Sequence, residues 1–554
     1  MKKNSFLGGA VIATLGIIVT KAIGLLYVIP FYAIIGTQGG ALYSYAYSIY
    51  AIFLSLSNSG IPVAISKVVS EYNALGYHYT KERAYKLSSL VLIGLGFFFF
   101  LVLIIFAPTI AKIILGDIQG GNTIEGVTLV IRIVATALLI VPIESVTQGY
   151  LQGQKVMLEP SMANVIEQVG RVVVILVGSF LMLRVFHLSL ESAVGVAVFG
   201  ATVGALTAYF YLLARIHKNR KKLHRDDPPL PEERKISNKD ILKKIIFYAL
   251  PFVIIDVLNS AYGMVDTMTV VNTMTDLGYS AGVTETSIGV IATWATKLNM
   301  IIASIALGMS TSLIPNLSAS KAKKDYKDIS HKINQALKAL LFITVPMAVG
   351  MSFLANPVWT IFYGYDALSI HIFTLYIFQT ISFSFSTVLI NIVQSLSHPK
   401  LAMGTLLSSF LAKMILNTPM MYLFHRIGIP AYYAPIATTF LTQSGVTIFL
   451  MIKLKQHYKV HYMETVRVFF KTIFTTGCMV AGLLIISLFV PVNTTMGRIE
   501  AILITALYTV IGGAIYFYFA HQGKLTTNVF EEHFFRSILN KIIPKKKRKV
   551  KLSS

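Results

Sequence analysis

Long apolar runs separated by short polar connections make up almost the whole chain. The runs lie at residues 6–36, 42–65, 87–106, 126–148, 160–185 and 192–216, then 241–271, 288–315, 333–353, 368–395, 401–424 and 430–454, and finally 466–490 and 499–520. Each is about 20 residues or more, the length that crosses about 30 Å of hydrocarbon at 1.5 Å rise per residue. The pattern predicts an all-α integral membrane protein of about 14 transmembrane helices. It lacks the short alternating segments of a membrane barrel. The first run is too long for a signal peptide and has no small-x-small cleavage site.

Threading the chain through these runs collects most of its 48 Lys and Arg on the side of the N-terminus, with Lys112, Arg184, Arg426 and Arg498 opposite. By the positive-inside rule both termini are expected in the cytoplasm. The segment 217–240 (HKNRKKLHRDDPPLPEERKISNKD) is polar and proline-rich, and reads as a cytoplasmic linker. It separates an N-terminal six-helix lobe, residues 1–216, from a C-terminal six-helix lobe, 241–454. Two additional helices, 455–520, and a basic tail, 521–554, follow. An even number of spans per lobe makes any repeat parallel. Such a repeat is visible in order: Gly60-Ile61-Pro62 before the charged stretch 67–86, and Gly308 to Pro315 before the charged stretch 321–332. Two pseudo-symmetric lobes would enclose a central cavity, which works in a monomer.

Composition sharpens the class. With 55% hydrophobic and 13% charged residues, the chain is far from the roughly 25% charged residues of a soluble domain. The formal charge of +24 is a topology signal and no evidence for nucleic acid. The basic run Lys545-Lys546-Lys547-Arg548-Lys549 suits anionic lipid at the membrane surface. A single cysteine, Cys478, excludes an internal disulfide, and no phosphate-binding glycine loop or His-Glu-x-x-His occurs. The reading is a transporter with no cofactor and no metal, and no enzyme.

Charge inside the membrane is costly, so each such residue is a candidate for function. The cations are Lys21, Arg132, Arg171, Lys297 and Lys413; the acids are Glu144, Glu167, Asp256 and Asp266. Glu167 and Arg171 are four apart and can pair within one helix. Arg132 can snorkel, and Glu144 and Asp266 lie near span ends. Lys21, Lys297 and Lys413 have no carboxylate within a turn and need a partner on another helix, such as Asp256, or a substrate. Asp256, Asn259, Asp266 and Thr267 form a candidate ion or counter-ion site if the helix bends. Pro30, Gly60, Pro62 and Pro251 are candidate hinges, because proline frees a backbone carbonyl inside a helix. The pair Gly200/Gly204 has the spacing of close helix packing. A cavity richer in cations than acids favours an anionic substrate, and a diphosphate suits fixed Lys and Arg donors best.

Thr20-Lys21-Ala22-Ile23-Gly24 with Ile29-Pro30-Phe31-Tyr32, Ser66-Lys67-Val68-Val69-Ser70-Glu71-Tyr72, Gln148-Gly149-Tyr150-Leu151-Gln152-Gly153 and Val165-Ile166-Glu167-Gln168 resemble the polysaccharide-transporter branch of the MOP flippase superfamily. The likeness is nearest its Gram-positive MurJ/YtgP-like and SpoVB-like members and covers nearly the whole chain. The resemblance implies export of an undecaprenyl-diphosphate-linked glycan, lipid II for peptidoglycan in the MurJ-like members, by alternating access in the bacterial cell membrane. It implies cavity-lining cations, with Lys21 and Lys297 at similar places. Where relatives carry a second arginine on the first helix this chain has Tyr27, and its second span has none. The driving force is open between the membrane potential and coupling to Na+ or H+. Competing readings are a flippase for another lipid-linked polysaccharide unit, a cation-coupled drug exporter of the MATE type, and a glycosyltransferase acting on the same carrier. The buried cations speak against the second, and short outer connections against the third.

Overall fold

The computed structural model describes residues 19–58, 60–116, 118, 120–219, 228, 230–492 and 495–529. The start of the first expected span, most of the 220–229 segment and the basic tail from 530 lie outside the described residues. All regular structure among the described residues is helical. Residues 19–26 form a helical segment, followed by α1 (Val28–Asn58), α2 (Gly60–Ala74), α3 (His78–Leu115), α4 (Ile124–Ala135), α5 (Val141–Gly153), α6 (Leu158–Val173) and α7 (Leu190–Lys218). After the linker come α8 (Asn238–Asp276), α9 (Ala281–Gly289), α10 (Ala295–Ala322), α11 (Tyr326–Phe353), α12 (Ala355–Tyr363), α13 (Ala367–Tyr376) and α14 (Gln379–Ser395). The last long helices are α15 (Pro399–Arg426), α16 (Ala434–Tyr458), α17 (Met463–Ser487) and α18 (Arg498–Gln522).

The described part of each expected span falls on one or two of these helical segments. Among the described residues, twelve stretches are long and apolar enough to cross a membrane. Against the fourteen expected, Val28–Ala74 is one stretch that covers parts of the first two spans, and α8 is not among the twelve. The bends have local causes. Pro30 has no N–H for the Leu26 carbonyl, and the helix is interrupted at Tyr27. Gly36 adopts φ 66°, ψ −165°, which breaks α1 in a conformation that favours glycine. The start of α8 is set by a capping box in which Ser237 and Asp240 exchange hydrogen bonds, and these hold the Asp240 carboxyl below its usual pKa.

The helices group into two compact units. One comprises residues 1–299, 366–376 and 399–446; the other comprises 300–365, 377–398 and 447–554. In the first, α6 and α7 pack closely because Gly200 and Gly204 present no side chain. A Cβ at Gly204 would lie 2.6 Å from the Glu167 carbonyl oxygen, and one at Gly200 2.9 Å from that of Arg171. Elsewhere in that unit, a Cβ at Gly60 would lie 2.5 Å from Val253 Cγ2 and 2.9 Å from the Ala249 oxygen, so α2 begins against the Pro251 region of α8. The second unit is tied by Lys338 Nζ to Glu464 at 2.9 Å and by Thr465 Oγ1 donating to Asn334 Oδ1 at 2.6 Å.

Two intrahelical prolines have their freed carbonyls taken by a neighbouring helix. Pro108 in α3 leaves the Ile104 oxygen without its helical donor, and Arg132 Nε of α4 donates to it at 3.2 Å. Pro346 in α11 leaves the Phe342 oxygen, which accepts Tyr516 Oη of α18 at 2.8 Å.

Gly204→Leu is expected to destabilise the detergent-solubilised protein by about 1–3 kcal/mol, because the side chain is forced into the α6 backbone. Gly263→Ala, whose Cβ meets nothing within 4 Å, is expected to stabilise by about 0.5–1 kcal/mol through helix propensity. Thermal unfolding of the two variants, read as opposite shifts in Tm, checks both.

Candidate functional site

The first unit carries a cationic and aromatic cluster built on α1, α6 and α10. Tyr43, Tyr47 and Tyr50 follow i, i+4, i+7 spacing and share one face of the second arm of α1. Tyr43 stacks on Tyr47 with ring centroids 5.5 Å apart, and Tyr47 meets Tyr50 edge-on at 5.8 Å. Phe31 links this column back to Tyr27, 6.1 Å away on the other side of the helix break.

Lys297 stands at the start of α10. Its ammonium lies 6.0 Å from the Tyr27 ring centroid and 5.8 Å from that of Tyr47, so two ring faces stabilise the charge. Among the described residues no carboxylate pairs with it. Its position is set by Trp294, in the widened turn Val290–Trp294 that joins α9 to α10. Trp294 is buried against Gly40, where a Cβ would come within 2.5 Å of its indole nitrogen, and meets Tyr32 edge-on at 5.1 Å. Ser44 and Thr293 share a hydrogen bond of 2.5 Å beside it.

Arg171 completes the cluster. It pairs with Glu167 at 2.5 Å, the intrahelical pair expected from their spacing, and lies within electrostatic reach of Tyr43, Tyr47, Tyr50 and Lys297. Its Nε and the Tyr50 hydroxyl are buried with no hydrogen-bond partner among the described residues. Lys21 is half-buried on the preceding helical segment, where Gly24 faces Gln168 of α6; no carboxylate among the described residues pairs with it. Glu144 is buried and accepts a 2.9 Å hydrogen bond from Gln148, which also donates to Asn164. Two fixed cations, an unfilled guanidinium donor and tyrosine hydroxyls suit an anion with several oxygens.

The other candidates lie elsewhere. The expectation that Lys413 pairs with a residue such as Asp256 gives way to another acid: Lys413 Nζ sits 2.7 Å from Asp266 Oδ2 and 4.5 Å from the Tyr262 ring centroid. Asn417 donates to Asp266 at 3.2 Å and to Thr269 at 2.7 Å, and Thr438 donates to Asn417 at 2.6 Å. This closed network ties α8, α15 and α16 within the first unit. Asp266 thereby has an ammonium as its partner, and Thr267 turns the other way, donating to Ser48 at 3.1 Å. Asn259 is exposed and Asp256 half-buried, so the four residues of the expected ion site do not converge on one point. Among the described residues no group of three His, Cys, Asp or Glu stands close enough to hold a metal. Arg132 is exposed and engaged with the Ile104 carbonyl. Of the hinge candidates, Gly60 lies against Ala249 and Val253, on either side of Pro251 in α8, and Pro62 lies against Gly149 of α5.

Two features escaped sequence reading. The tyrosine column was legible as repeated Tyr at helical spacing, but aromatic residues are common in apolar runs. Glu285 lies just ahead of the eighth apolar run; it is buried and accepts from the Asn122 amide at 2.5 Å and Asn122 Nδ2 at 2.8 Å. Only the fold brings the bend at Asn122 against Glu285 of α9.

Residues 6–320 match the family described as polysaccharide biosynthesis protein, and residues 251–418 match the MatE family. The chain is similar to the lipid II flippase MurJ of Bacillus subtilis (strain 168), with 30% identity over 528 residues that cover 94% of this chain and 95% of the relative. Among solved structures, it resembles an inward-facing multidrug resistance MATE family transporter of the MOP superfamily, with TM-score 0.64 and 12% identity over 80% of this chain and 98% of the other. It also resembles lipid II flippase MurJ in an inward closed conformation, with TM-score 0.60 and 16% identity over 96% of this chain and all of the other. These two likenesses concern the fold.

Lys413→Met is expected to cost about 3–5 kcal/mol of stability, because it leaves the buried Asp266 carboxylate unpaired. Lys413→Met with Asp266→Asn is expected to recover most of that loss. Denaturation of the purified single and double variants gives the comparison; equal Tm values for the single variant and the parent would contradict a paired, buried Asp266.

Proposed function

Since the chain belongs to the polysaccharide biosynthesis protein family of the MOP superfamily, whose members are membrane transporters and not enzymes, we propose that it is a flippase for an undecaprenyl-diphosphate-linked glycan precursor. The proposed substrate is lipid II, moved from the cytoplasmic to the outer leaflet by alternating access of the halves 1–216 and 241–454. The observation that carries this reading is the Lys297 ammonium, seated between the rings of Tyr27 and Tyr47 with no carboxylate partner among the described residues and with Arg171 in reach. A diphosphate is the oxygen-rich anion that such a cluster takes, and its polyprenyl chain stays in the bilayer. Lys21, on the helical segment 19–26 that ends at Tyr27, provides a second cation on the proposed entry path.

The aromatic seat supplies what a second arginine would otherwise do. Tyr27 and Tyr47 stabilise the lysine charge without neutralising it, so the ammonium keeps its attraction for phosphate. The proposed driving force is the membrane potential, about 2.3 kcal/mol per elementary charge per 100 mV, acting on a dianion that leaves a negative interior. Coupling to Na+ or H+ through Asp256 is the competing mechanism, distinguished by flipping rates in vesicles with an imposed potential and no ion gradient. Export of cationic drugs is the second reading, favoured by the MatE match over residues 251–418. An acid-lined cavity would suit that cargo, whereas the cluster described is cationic.

Purified protein in vesicles with fluorescent lipid II gives the direct test. Lys297→Ala and Lys21→Ala are each expected to lower the flipping rate at least tenfold, a loss of about 1.4 kcal/mol or more, with folding intact. Arg132→Gln is expected to leave the rate near that of the parent while lowering Tm. Normal rates in both lysine variants would sink the diphosphate assignment. Cationic-dye efflux from the same vesicles separates the drug-export reading.

A further inference from the structure

An apolar groove of 360 Å³ runs along the first unit between α2, α3 and α8. Its walls include Ile61 of α2, Val91 and Leu95 of α3, and Leu242, Ile246 and Val253 of α8, and Ser88 supplies the one hydroxyl among its lining residues. From Leu242 to Val253 the groove extends about 16 Å at 1.5 Å per residue. That is half of the roughly 30 Å hydrocarbon core, the depth of one leaflet.

The mouth is cationic. Lys239 and Lys243, both exposed, stand one helical turn before Leu242 and Ile246 on α8. The acids near this end are already engaged. The Asp240 carboxylate accepts from the Ser237 amide and hydroxyl in the capping box, Glu233 accepts from the amides of Thr80 and Leu230, and Glu232 accepts from the Tyr77 hydroxyl. An amphiphile with one anionic head and a chain one leaflet long matches both ends of this site. A polyprenyl chain is much longer than one leaflet, and the groove has no polar groups for a glycan.

We propose that this groove binds one anionic phospholipid from the leaflet on the linker side, with its head group on Lys239 and Lys243 and one acyl chain between α3 and α8. The site is separate from the Lys297 cluster and does not depend on the identity of the transported substrate. It touches the hinge region: Ile61 and Val253 line the groove, and Val253 is the residue against which Gly60 packs. A bound chain therefore props the contact between α2 and α8, and the lipid regulates the movement of one against the other.

The test uses full-length protein in detergent, exchanged with an equal mixture of phosphatidylglycerol and phosphatidylethanolamine and examined by native mass spectrometry. The parent is expected to retain one phosphatidylglycerol that survives delipidation. Val91→Trp and Ile246→Trp, on opposite walls and at exposed positions, are each expected to lose it while eluting as folded protein with unchanged Tm in lipid-free detergent. Lys239→Ala and Lys243→Ala are each expected to lower the preference for phosphatidylglycerol about fivefold, the effect of one basic residue near an anionic head group. Equal retention by the parent and both tryptophan variants overturns the proposal. So does a parent that holds both phospholipids alike, or one whose retained species from native membranes is a polyprenyl diphosphate.

Discussion

Inside a bilayer every backbone carbonyl and every charge must find its partner within the protein, and that single constraint organises the described structure. It explains why an exposed arginine such as Arg132 sits against Ile104, whose carbonyl Pro108 has released, and why Tyr516 reaches the Phe342 carbonyl released by Pro346. In water those carbonyls would be solvated. In hydrocarbon each bend must be answered by a donor from a neighbouring helix, so bends and packing partners are linked.

The same constraint sorts the intramembrane charges into two kinds. Lys413, Asp266, Asn417 and Thr438 satisfy one another, and a closed network of this type ties three helices together. Lys297 is different. Its partners are ring faces, which stabilise a cation without cancelling its charge, and Arg171 beside it keeps a buried nitrogen unbonded. Electrostatic capacity is left over at one cluster and used up at the other. That difference is what directs the functional reading to the Tyr27–Tyr47–Lys297 region.

Small residues decide how close the helices that carry these groups can come. Gly204 and Gly200 let α7 rest on the backbone of α6 beneath Glu167 and Arg171, and Gly40 lets α1 rest on Trp294. Through Trp294 and the widened turn Val290–Trp294, a glycine on one helix sets where Lys297 stands on another. Likewise Gly60 lets α2 meet α8 at Ala249 and Val253, the residues that flank Pro251.

The spans, the helix bends near Pro30, and the Glu167–Arg171 pair were legible in the sequence alone, because each depends on neighbours within a few residues: a run of apolar side chains, a missing N–H, an i, i+4 spacing. The family resemblance was legible for a similar reason, since it rests on contiguous motifs. What only the tertiary structure decided is which charge meets which partner. Lys413 and Asp266 are 147 residues apart, Asn122 and Glu285 163 apart, and Lys297 reaches Tyr27 and Tyr47 across the length of a half. The cost of burying a charge requires that a partner exist, but it does not say which helix provides it. Packing does, and packing is set by glycines and prolines acting together on helices far apart in the chain.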